Sequence, residues 1–264
     1  MKPVTLSKRL QAVVSMVTAG NRVCDVGCDH GFVSIYLIEH KISPGVLAMD
    51  LRSGPLSAAQ KHIAECGLDA WIEIRMSDGL HNYDIGEADT LICAGMGGKL
   101  MMRILSEDKA KTESFREMVL QPQSEIESFR AWLREQGYDI TDEIMIEEDD
   151  KFYPMMRVVT DGAVSEGEAS HSDDKLCKLA DRYGLLLLQR KDKTLADYLK
   201  REERIYQEIL VGLRANGLSD EKRESRYTEV TELLADCRRA MEIVLPDEKT
   251  NRGEGECSYG DSED

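Results

Sequence analysis

The stretch from Val23 to Gly31, V-C-D-V-G-C-D-H-G, constrains the fold of this chain more than any other. A short apolar run ends at Asp25 and gives way to glycines, and apolar residues with helical spacing resume after Gly31. Glycines let a backbone approach a ligand closely, and a helix N-terminus offers free N–H groups. The pattern therefore predicts the strand, tight loop and helix start of a nucleotide-binding α/β unit.

The spacing of the glycines distinguishes between two kinds of nucleotide ligand. A dinucleotide-binding loop has the pattern G-x-G-x-x-G, whereas here Gly27 and Gly31 lie four residues apart and enclose an acidic residue. The carboxylates of Asp25, Asp29 and, further on, Asp50 would repel a pyrophosphate but attract a cation. The loop therefore favours a positively charged ligand such as S-adenosylmethionine, which carries a sulfonium.

Strand and helix patterns alternate along the first 160 residues. Ser7 caps a first helix that ends before Gly20, and later strands and helices follow one another at short intervals. Predicted strands cover 23–26, 46–49, 72–76, 90–94 and 118–120, with helices at 32–39, 55–66, 100–105 and 124–136. This alternation requires a parallel sheet with crossover helices. The alternating segments 138–146 and 152–160 predict a closing antiparallel pair, which is typical of the seven-stranded Rossmann-like methyltransferases and not of dehydrogenases.

The remainder of the chain has no strand signals. Residues 161–175 are small, polar and acidic, which predicts a linker. Two apolar stripes separated by Asn216-Gly217 predict an antiparallel, coiled-coil-like helical hairpin over residues 176–245. The acidic tail at 246–264 is predicted to be disordered. We therefore predict a methyltransferase domain at 1–160, followed by the linker, the hairpin and the tail.

Charge and composition exclude several classes of protein. The net charge of −16 argues against a generic nucleic-acid binder, although residues 176–245 carry 14 basic and 13 acidic residues and leave room for a local basic face. No apolar stretch approaches the length of a membrane span, and the N-terminus lacks the apolar block of a secretory signal. The seven cysteines are scattered without metal-ligand spacing. We expect a cytoplasmic protein without a metal, a membrane or an obligate protein partner.

Carboxylates and glycines at the predicted strand ends outline a binding site for S-adenosylmethionine, the methyl donor. Asp50 is placed to accept hydrogen bonds from both ribose hydroxyls, with a helix N-cap as the alternative. Asp78 would accept from the adenine amino group while Gly79 leaves room for the ring, or it is a plain turn aspartate. We expect Asp25 to organise the glycine loop through backbone N–H groups. The predicted donor-binding residues are Asp25, Gly27, Gly31, Asp50, Leu51, Ser77, Asp78, Gly79, Ala94, Gly95 and Met96.

The run A-G-M-G-G at 94–98 departs most clearly from generic patterns. Amino-methyltransferases often carry Asn-Pro-Pro-Tyr at this position, and a glycine run suits a flat base lying close to the methyl donor. The alternative is a tight strand-to-helix turn. His30 is either an acid–base group or a residue that orients the loop, and Tyr153 either stacks on a base or packs. Gln121 and Pro122 either border the target pocket or simply end a strand.

Several motifs together make the chain resemble the bacterial tRNA (adenine(22)-N(1))-methyltransferase family (TrmK). They are L-S-K-R-L at 6–10, D-V-G-C-D-H-G at 25–31, S-D-G-L at 77–80, A-G-M-G-G at 94–98, L-Q-P at 120–122 and K-F-Y at 151–153, followed by the helical hairpin. The resemblance covers roughly residues 5–245. It departs from the family at Gly31 and Phe32, where the family often has D-H-A-Y and this chain has D-H-G-F, so an aromatic hydroxyl is missing there.

The resemblance implies a class I enzyme that transfers a methyl group from S-adenosylmethionine to N1 of adenine 22 in the D-loop of tRNA, releasing S-adenosylhomocysteine. The adenine would be extruded into the pocket and aligned with the methyl group, and Asp29 and His30 are the candidates for accepting a proton near its amino group. The hairpin would clamp the tRNA through its phosphates. The predicted substrate-binding residues are Gly97, Gly98, Gln121, Pro122, Tyr153, Lys191, Lys193, Lys200, Arg201 and Arg204, with Lys222, Arg223 and Arg226 as further phosphate contacts.

Two other functions remain open on the sequence. The first is a methyltransferase for a small molecule or a protein, in which the helical hairpin serves as a dimerisation arm. The second is a non-catalytic RNA-binding scaffold that retains a vestigial Rossmann unit.

Overall fold

The computed structural model describes residues 4–160, 174–215 and 221–245. These residues belong to two compact units, which divide between Leu187 and Leu188. The elements of the first unit are α1 (Lys8–Ser15), β1 (Val23–Val26), α2 (Phe32–Glu39), β2 (Val46–Asp50), α3 (Ser53–Cys66), β3 (Ile72–Met76), β4 (Thr90–Met96), α4 (Gly98–Glu107), α5 (Lys109–Thr112), β5 (Glu117–Pro122), α6 (Ile126–Glu135), β6 (Asp139–Glu148), β7 (Lys151–Val159) and α7 (Asp174–Tyr183). Helix α8 (Leu185–Gln189) includes the division, and α9 (Lys193–Ala215) and α10 (Glu221–Val244) form the second unit.

A seven-stranded sheet with the order β3-β2-β1-β4-β5-β7-β6 forms the centre of the first unit. Strands β1 to β5 are parallel, and β7 pairs antiparallel with both β5 and β6. Along β1, Val23 packs into one apolar cluster, while Cys24 and Val26 pack into the other. Because both faces are covered, the parallel strands appear in the sequence as uninterrupted apolar runs. The predicted seven-stranded Rossmann-like fold class is confirmed.

The boundaries of several elements differ from the prediction at the ligand-facing edge of the sheet. Strand β4 continues to Met96, with an irregularity in its pairing between Ala94 and Met96. Helix α4 begins at Gly98 rather than at residue 100, and the short helix α5 was not predicted. The strand therefore includes part of the A-G-M-G-G run, and the helix begins within it.

The first unit continues past residue 176, where we predicted the hairpin to begin, because α7 packs against α6. The buried side chain of Arg130 on α6 donates hydrogen bonds to Glu143 (2.8 Å) and to two carbonyl oxygens at the end of α7. Glu143 also accepts a hydrogen bond from the backbone N–H of Leu186 (3.3 Å). Gly184 has a φ of +93°, and a Cβ at that position would lie 2.6 Å from a Glu143 carboxylate oxygen. These contacts bind the end of α7 and the segment after it to α6 and β6.

Helices α9 and α10 of the second unit pair antiparallel. The thiol of Cys237, late in α10, donates to the carbonyl oxygen of Leu199, early in α9 (3.3 Å). At the other end, the guanidinium of Arg214 donates from its Nε to the hydroxyl of Tyr227 (2.9 Å). The coiled-coil geometry of this pair stays a prediction. The described residues do not include the predicted turn at 216–217, most of the predicted linker or the predicted tail. Within the described parts, no helix is long and apolar enough to cross a membrane.

Candidate active site

A cavity of about 490 Å³ opens at the carboxyl ends of strands β1 to β4. Open α/β sheets bind ligands at this edge, at the point where the strand order reverses, and here the order reverses between β1 and β4. The volume lies within the range of small-molecule sites. Twelve of the residues predicted from the sequence line the cavity: Asp25, Gly27, Asp29, His30, Asp50, Leu51, Ser77, Asp78, Gly79, Ala94, Gly95 and Met96.

The glycine loop between β1 and α2 is held by backbone hydrogen bonds and by left-handed residues. The N–H groups of Gly27 and Cys28 donate to the carbonyl oxygen of Met49 (2.8 and 3.0 Å). Gly27 has a φ of +78°, and a Cβ there would lie 2.2 Å from the Met96 methyl group. Gly31 is the N-cap of α2 at a φ of +73° and does not line the cavity, because it packs against α3. The missing side chain of Gly31 allows the close packing against α3, whereas we predicted that Gly31 would contact the methyl donor.

Asp50 connects the glycine loop to the start of α3. Its carboxylate is 6% exposed and accepts hydrogen bonds from the N–H of Arg52 (2.9 Å) and from the N–H of Asp29 (3.3 Å). The N-cap of α3 is Arg52, and the helix has no side-chain cap. The alternative that Asp50 is a helix N-cap is therefore wrong. Each carboxylate oxygen has two acceptor sites, so both retain capacity for a ligand hydroxyl.

Asp25 is a buried carboxylate that does not contact the loop in the way we predicted. Its Oδ2 accepts a hydrogen bond from the Ser34 hydroxyl on α2 (2.8 Å). The loop N–H bonds described above go instead to Asp50 and to a main-chain carbonyl. Burial raises the pKa of Asp25 to about 6, the Ser34 hydrogen bond lowers it, and the charge of Asp50 raises it. The structure thus holds a carboxylate that is costly to ionise at the back of the cavity.

The end of β3 carries a charged group that is already paired. Arg103 on α4 donates to both carboxylate oxygens of Asp78 (2.8 and 3.3 Å) and also to Glu107. The hydrogen bond from Arg103 lowers the pKa of Asp78. The buried Ser77 hydroxyl donates to the carbonyl of Gly79 (2.9 Å), and Gly79 lies against α4 at a φ of +55°. Asp78 is therefore oriented by α4, while its oxygens keep further acceptor capacity.

The two predicted catalytic residues lie at the exposed rim of the cavity. The side chains of His30 and Asp29 are 49% and 59% exposed, and His30 Nε2 lies 3.7 Å from an Asp29 carboxylate oxygen. Beside them, the Phe32 ring stacks on His62 at 4.9 Å between centroids, and His62 Nδ1 lies 3.0 Å from the His30 carbonyl oxygen. The sequence analysis named neither His62 nor Phe32 as a site residue. The signal in the sequence was the helical spacing of the apolar residues after the glycine loop, because Phe32 is the first residue of the helix that follows this loop.

Five residues predicted to bind the target base do not line the cavity: Gly97, Gly98, Gln121, Pro122 and Tyr153. A Cβ at Gly98 would lie 2.7 Å from the backbone oxygen of Ser124, and one at Gly97 would lie 2.9 Å from the Ser124 hydroxyl. These glycines are needed for the packing of a tight turn, which favours the alternative reading of the run. Gln121 is fully buried and accepts a hydrogen bond from the Gly95 N–H (3.2 Å), so it supports the cavity wall from behind.

Three arginines line the cavity that the sequence analysis did not assign to it. They are Arg9 on α1, Arg52 at the start of α3 and Arg103 on α4. Arg9 stands within the L-S-K-R-L motif, but its approach to the cavity depends on the position of a helix that is distant in the sequence. In the described ranges, no group of three or more His, Cys, Asp or Glu side chains is arranged to hold a metal ion. The cavity is therefore lined by four aspartates and by three arginines from different segments of the chain.

Comparison with known proteins identifies the family. The family model described as a methyltransferase domain matches residues 6–156, which contain the whole cavity lining. The chain belongs to the methyltransferase domain family. Its sequence is 35% identical over 156 residues to the tRNA (adenine(22)-N(1))-methyltransferase of Bacillus subtilis (strain 168). The aligned segment covers 59% of this chain and 66% of that protein. The chain thus spans about two thirds of the length of this curated relative.

Solved structures extend the similarity over most of the chain. The crystal structure of the B. subtilis M1A22 tRNA methyltransferase TrmK matches with a TM-score of 0.75 at 27% identity, covering 90% of this chain and 99% of that one. The structure of Streptococcus pneumoniae Sp1610, a putative tRNA (m1A22) methyltransferase, in complex with S-adenosyl-L-methionine, matches with a TM-score of 0.76 at 25% identity, covering 90% and 100%. The resemblance inferred from the motifs is confirmed.

The predicted phosphate contacts of this methyltransferase lie in the second unit, or at its beginning. Lys193, Lys200, Arg201 and Arg204 are on α9, and Lys191 precedes it at a φ of +52°. Lys200 pairs with an aspartate on its own helix (3.1 Å). Of the further contacts, Lys222, Arg223 and Arg226 are exposed on the first turns of α10, and Arg226 pairs with Glu229 (2.8 Å).

Proposed function

We propose that this chain transfers a methyl group from S-adenosylmethionine to N1 of adenine 22 in the D-loop of tRNA and releases S-adenosylhomocysteine. The observation that carries the proposal is the 35% identity over 156 residues to a tRNA (adenine(22)-N(1))-methyltransferase. The match to the methyltransferase domain model, over residues 6–156, includes every residue of the cavity. The solved relative that holds S-adenosyl-L-methionine has the same fold over its entire length. We expect the protein to act in the cytoplasm, without a membrane or an obligate protein partner.

The polar residues that line the cavity fit S-adenosylmethionine as the methyl donor. Asp50 has one acceptor site occupied on each oxygen, and in this proposal it would accept hydrogen bonds from the two ribose hydroxyls. Asp78, oriented by Arg103, would accept a hydrogen bond from the adenine amino group. Asp25 adds negative charge at the tip of β1, where a sulfonium would lie. When bound, the donor supplies an electrophilic methyl group on this sulfonium.

The residues of the chain would then align and stabilise the reacting adenine. N1 acquires the methyl group, so positive charge develops on the base. The exposed carboxylate of Asp29 lies at the cavity rim, where it would stabilise that charge, and His30 offers a ring nitrogen that can accept a proton from the amino group. Most of the rate enhancement would come from alignment of the base with the donor. In this proposal the α9–α10 pair binds tRNA phosphates through its basic side chains.

Mapping the modified nucleoside tests this function. Full-length protein, unmodified tRNA and donor labelled in its methyl group are incubated together, and the tRNA is digested and sequenced for N1-methyladenine. Label at position 22, and none in a tRNA with guanine at that position, is the expected result. Label in a metabolite or protein pool, with none in tRNA, would support the small-molecule or protein alternative. Absence of donor binding in calorimetry would support the scaffold alternative.

A further inference from the structure

Three aromatic rings form a cluster at the rim of the cavity. The ring centroids of His30, Phe32 and His62 lie 4.9 to 5.9 Å apart, which is the usual separation of interacting aromatic pairs. The planes of Phe32 and His62 differ by 18° and those of His30 and Phe32 by 26°, so both pairs are stacked. The apolar ring of Phe32 is 39% exposed. We call these three residues the rim cluster.

Helix α3 holds the rim cluster in place from outside the cavity. A Cβ at Gly31 would lie 3.1 Å from the nearest side chain of α3, so the missing side chain lets this helix approach the start of α2. His62 is on α3, and its Nδ1 lies 3.0 Å from the carbonyl oxygen of His30. Because a carbonyl oxygen can only accept, Nδ1 donates the proton in this hydrogen bond. The ring of His62 is therefore fixed beside Phe32.

The rim cluster lies where the nucleotides next to a flipped base arrive. When a base leaves the stack, each of its two neighbours in the RNA loses a stacking partner. The target base enters the cavity, so its neighbours stay outside, each joined to it by one sugar–phosphate unit. His30 and Phe32 line the cavity, and His62 adjoins them. Phenylalanine and histidine rings present faces on which unpaired bases stack.

The charges beside the rim cluster favour contact with a base over contact with a phosphate. The exposed carboxylate of Asp29 lies 3.7 Å from the His30 ring and would repel a phosphate. Lys61, which precedes His62 on α3, pairs with Glu65 (3.8 Å). Stacking on an aromatic ring requires no positive charge on the protein. The rim cluster is therefore suited to an unpaired base whose phosphates stay in solvent.

We propose that the rings of Phe32 and His62 stack on one of the two nucleobases adjacent to the flipped adenine. The inference rests on the proposed function, in which an adenine of tRNA enters the cavity. The ring stack then replaces the stacking partner that the adjacent base loses when the adenine is extruded. The contact adds affinity for the open form of the loop, and it lies on the first unit rather than on the α9–α10 pair.

The test pairs removal of a ring in the protein with removal of a base in the RNA. Unmodified tRNA is prepared intact, or with an abasic site immediately before or immediately after adenine 22. Dissociation constants are measured with S-adenosylhomocysteine present, for full-length wild type, His62→Leu and His62→Phe. In wild type, one of the two abasic sites should weaken binding by about 5- to 100-fold, the effect of one stacked base. His62→Leu should bind intact tRNA more weakly, and in it the factor for that abasic site should be at least about threefold smaller. His62→Phe keeps a ring and should behave as wild type.

His40→Leu is the matched control. The His40 ring is also stacked, on Tyr36 at 3.7 Å between centroids, but it lies at the opposite end of α2 from the rim cluster. This variant should bind all three RNAs as wild type does. In calorimetry, His62→Leu should bind S-adenosylhomocysteine with wild-type affinity, which shows that the cavity is intact.

The other results overturn the inference in distinguishable ways. If neither abasic site weakens wild type, or if both proteins lose the same factor, His62 does not stack on an adjacent base. If His62→Phe behaves as His62→Leu, the hydrogen bond to His30 matters and the ring does not. A loss of S-adenosylhomocysteine affinity in His62→Leu, or an equal effect of His40→Leu, would show a structural role. All these results leave methylation of intact tRNA by wild type in place, whereas a wild type that methylates no tRNA refutes the proposed function as well.

Discussion

Replacing Asp25 with asparagine should make the protein more stable at neutral and alkaline pH. Burial raises the pKa of Asp25 from 3.8 to about 6, so the folded state binds its proton more tightly than the unfolded state does. A carboxyl group with a raised folded pKa contributes stability at low pH and loses that contribution as the pH rises through the folded value. The full difference corresponds to about 3 kcal/mol, of which about 1.4 kcal/mol is lost between pH 5 and pH 8.

The measurement is urea unfolding at pH 5, 6, 7 and 8, followed by tryptophan fluorescence. Both tryptophans, Trp71 and Trp132, are in the same unit as Asp25, so the signal reports on the relevant part of the chain. The free energy of unfolding of Asp25→Asn minus that of wild type should rise by about 1.4 kcal/mol from pH 5 to pH 8. In Ser34→Ala, which lacks the hydrogen bond that lowers the pKa, the transition should move to higher pH. A difference that stays constant with pH would refute the reasoning.

Three further substitutions test other parts of the site. Gly98→Ala places a Cβ 2.7 Å from a backbone oxygen and should lower the free energy of unfolding, measured by thermal denaturation, by about 1–3 kcal/mol. The control Gly54→Ala has open space around it and should lower this free energy by less than about 1 kcal/mol. Equal melting temperatures of the two variants would contradict this prediction. Arg130→Met removes the guanidinium that neutralises the buried Glu143 carboxylate and should lower the free energy of unfolding by about 3–5 kcal/mol. The control Arg134→Met removes a half-exposed ion pair and should lower it by less than about 1 kcal/mol. Asp50→Ala should weaken donor binding in calorimetry by about 1–3 kcal/mol, and wild-type affinity would exclude the ribose contact.

The order and type of the elements could be predicted because each has a local cause. Strands β1 and β2 are buried on both faces, and each has an aspartate among its last two residues, so an apolar run with a carboxylate at its end marks both the strand and the edge where ligands bind. Of the cavity residues that the sequence identified, Gly27 follows β1 directly, Asp50 is the last residue of β2, and Asp78 lies two positions after β3. Proximity to a strand end was enough to place them.

The residues that sequence analysis missed or misassigned depend on contacts between distant segments. Arg9 lies on a helix whose first turn is held by Glu148, at the end of the distant strand β6. The sequence gives no sign that Gly98 faces the backbone of the segment after β5, which makes a glycine necessary for packing. The assignment of α7 to the first unit depends on the buried pair of Arg130 and Glu143, and neither residue belongs to a recognisable motif.

The contact between Glu148 and the first turn of α1 has a consequence for synthesis of the protein. The first turn of this helix receives a partner from a residue 140 positions later in the chain. A nascent chain that has left the ribosome as far as β4 already contains the aspartates and glycines of the cleft, but its N-terminal helix still lacks that partner. The part of the cavity wall that α1 supplies is therefore held by this contact only after the last hairpin of the sheet has been translated.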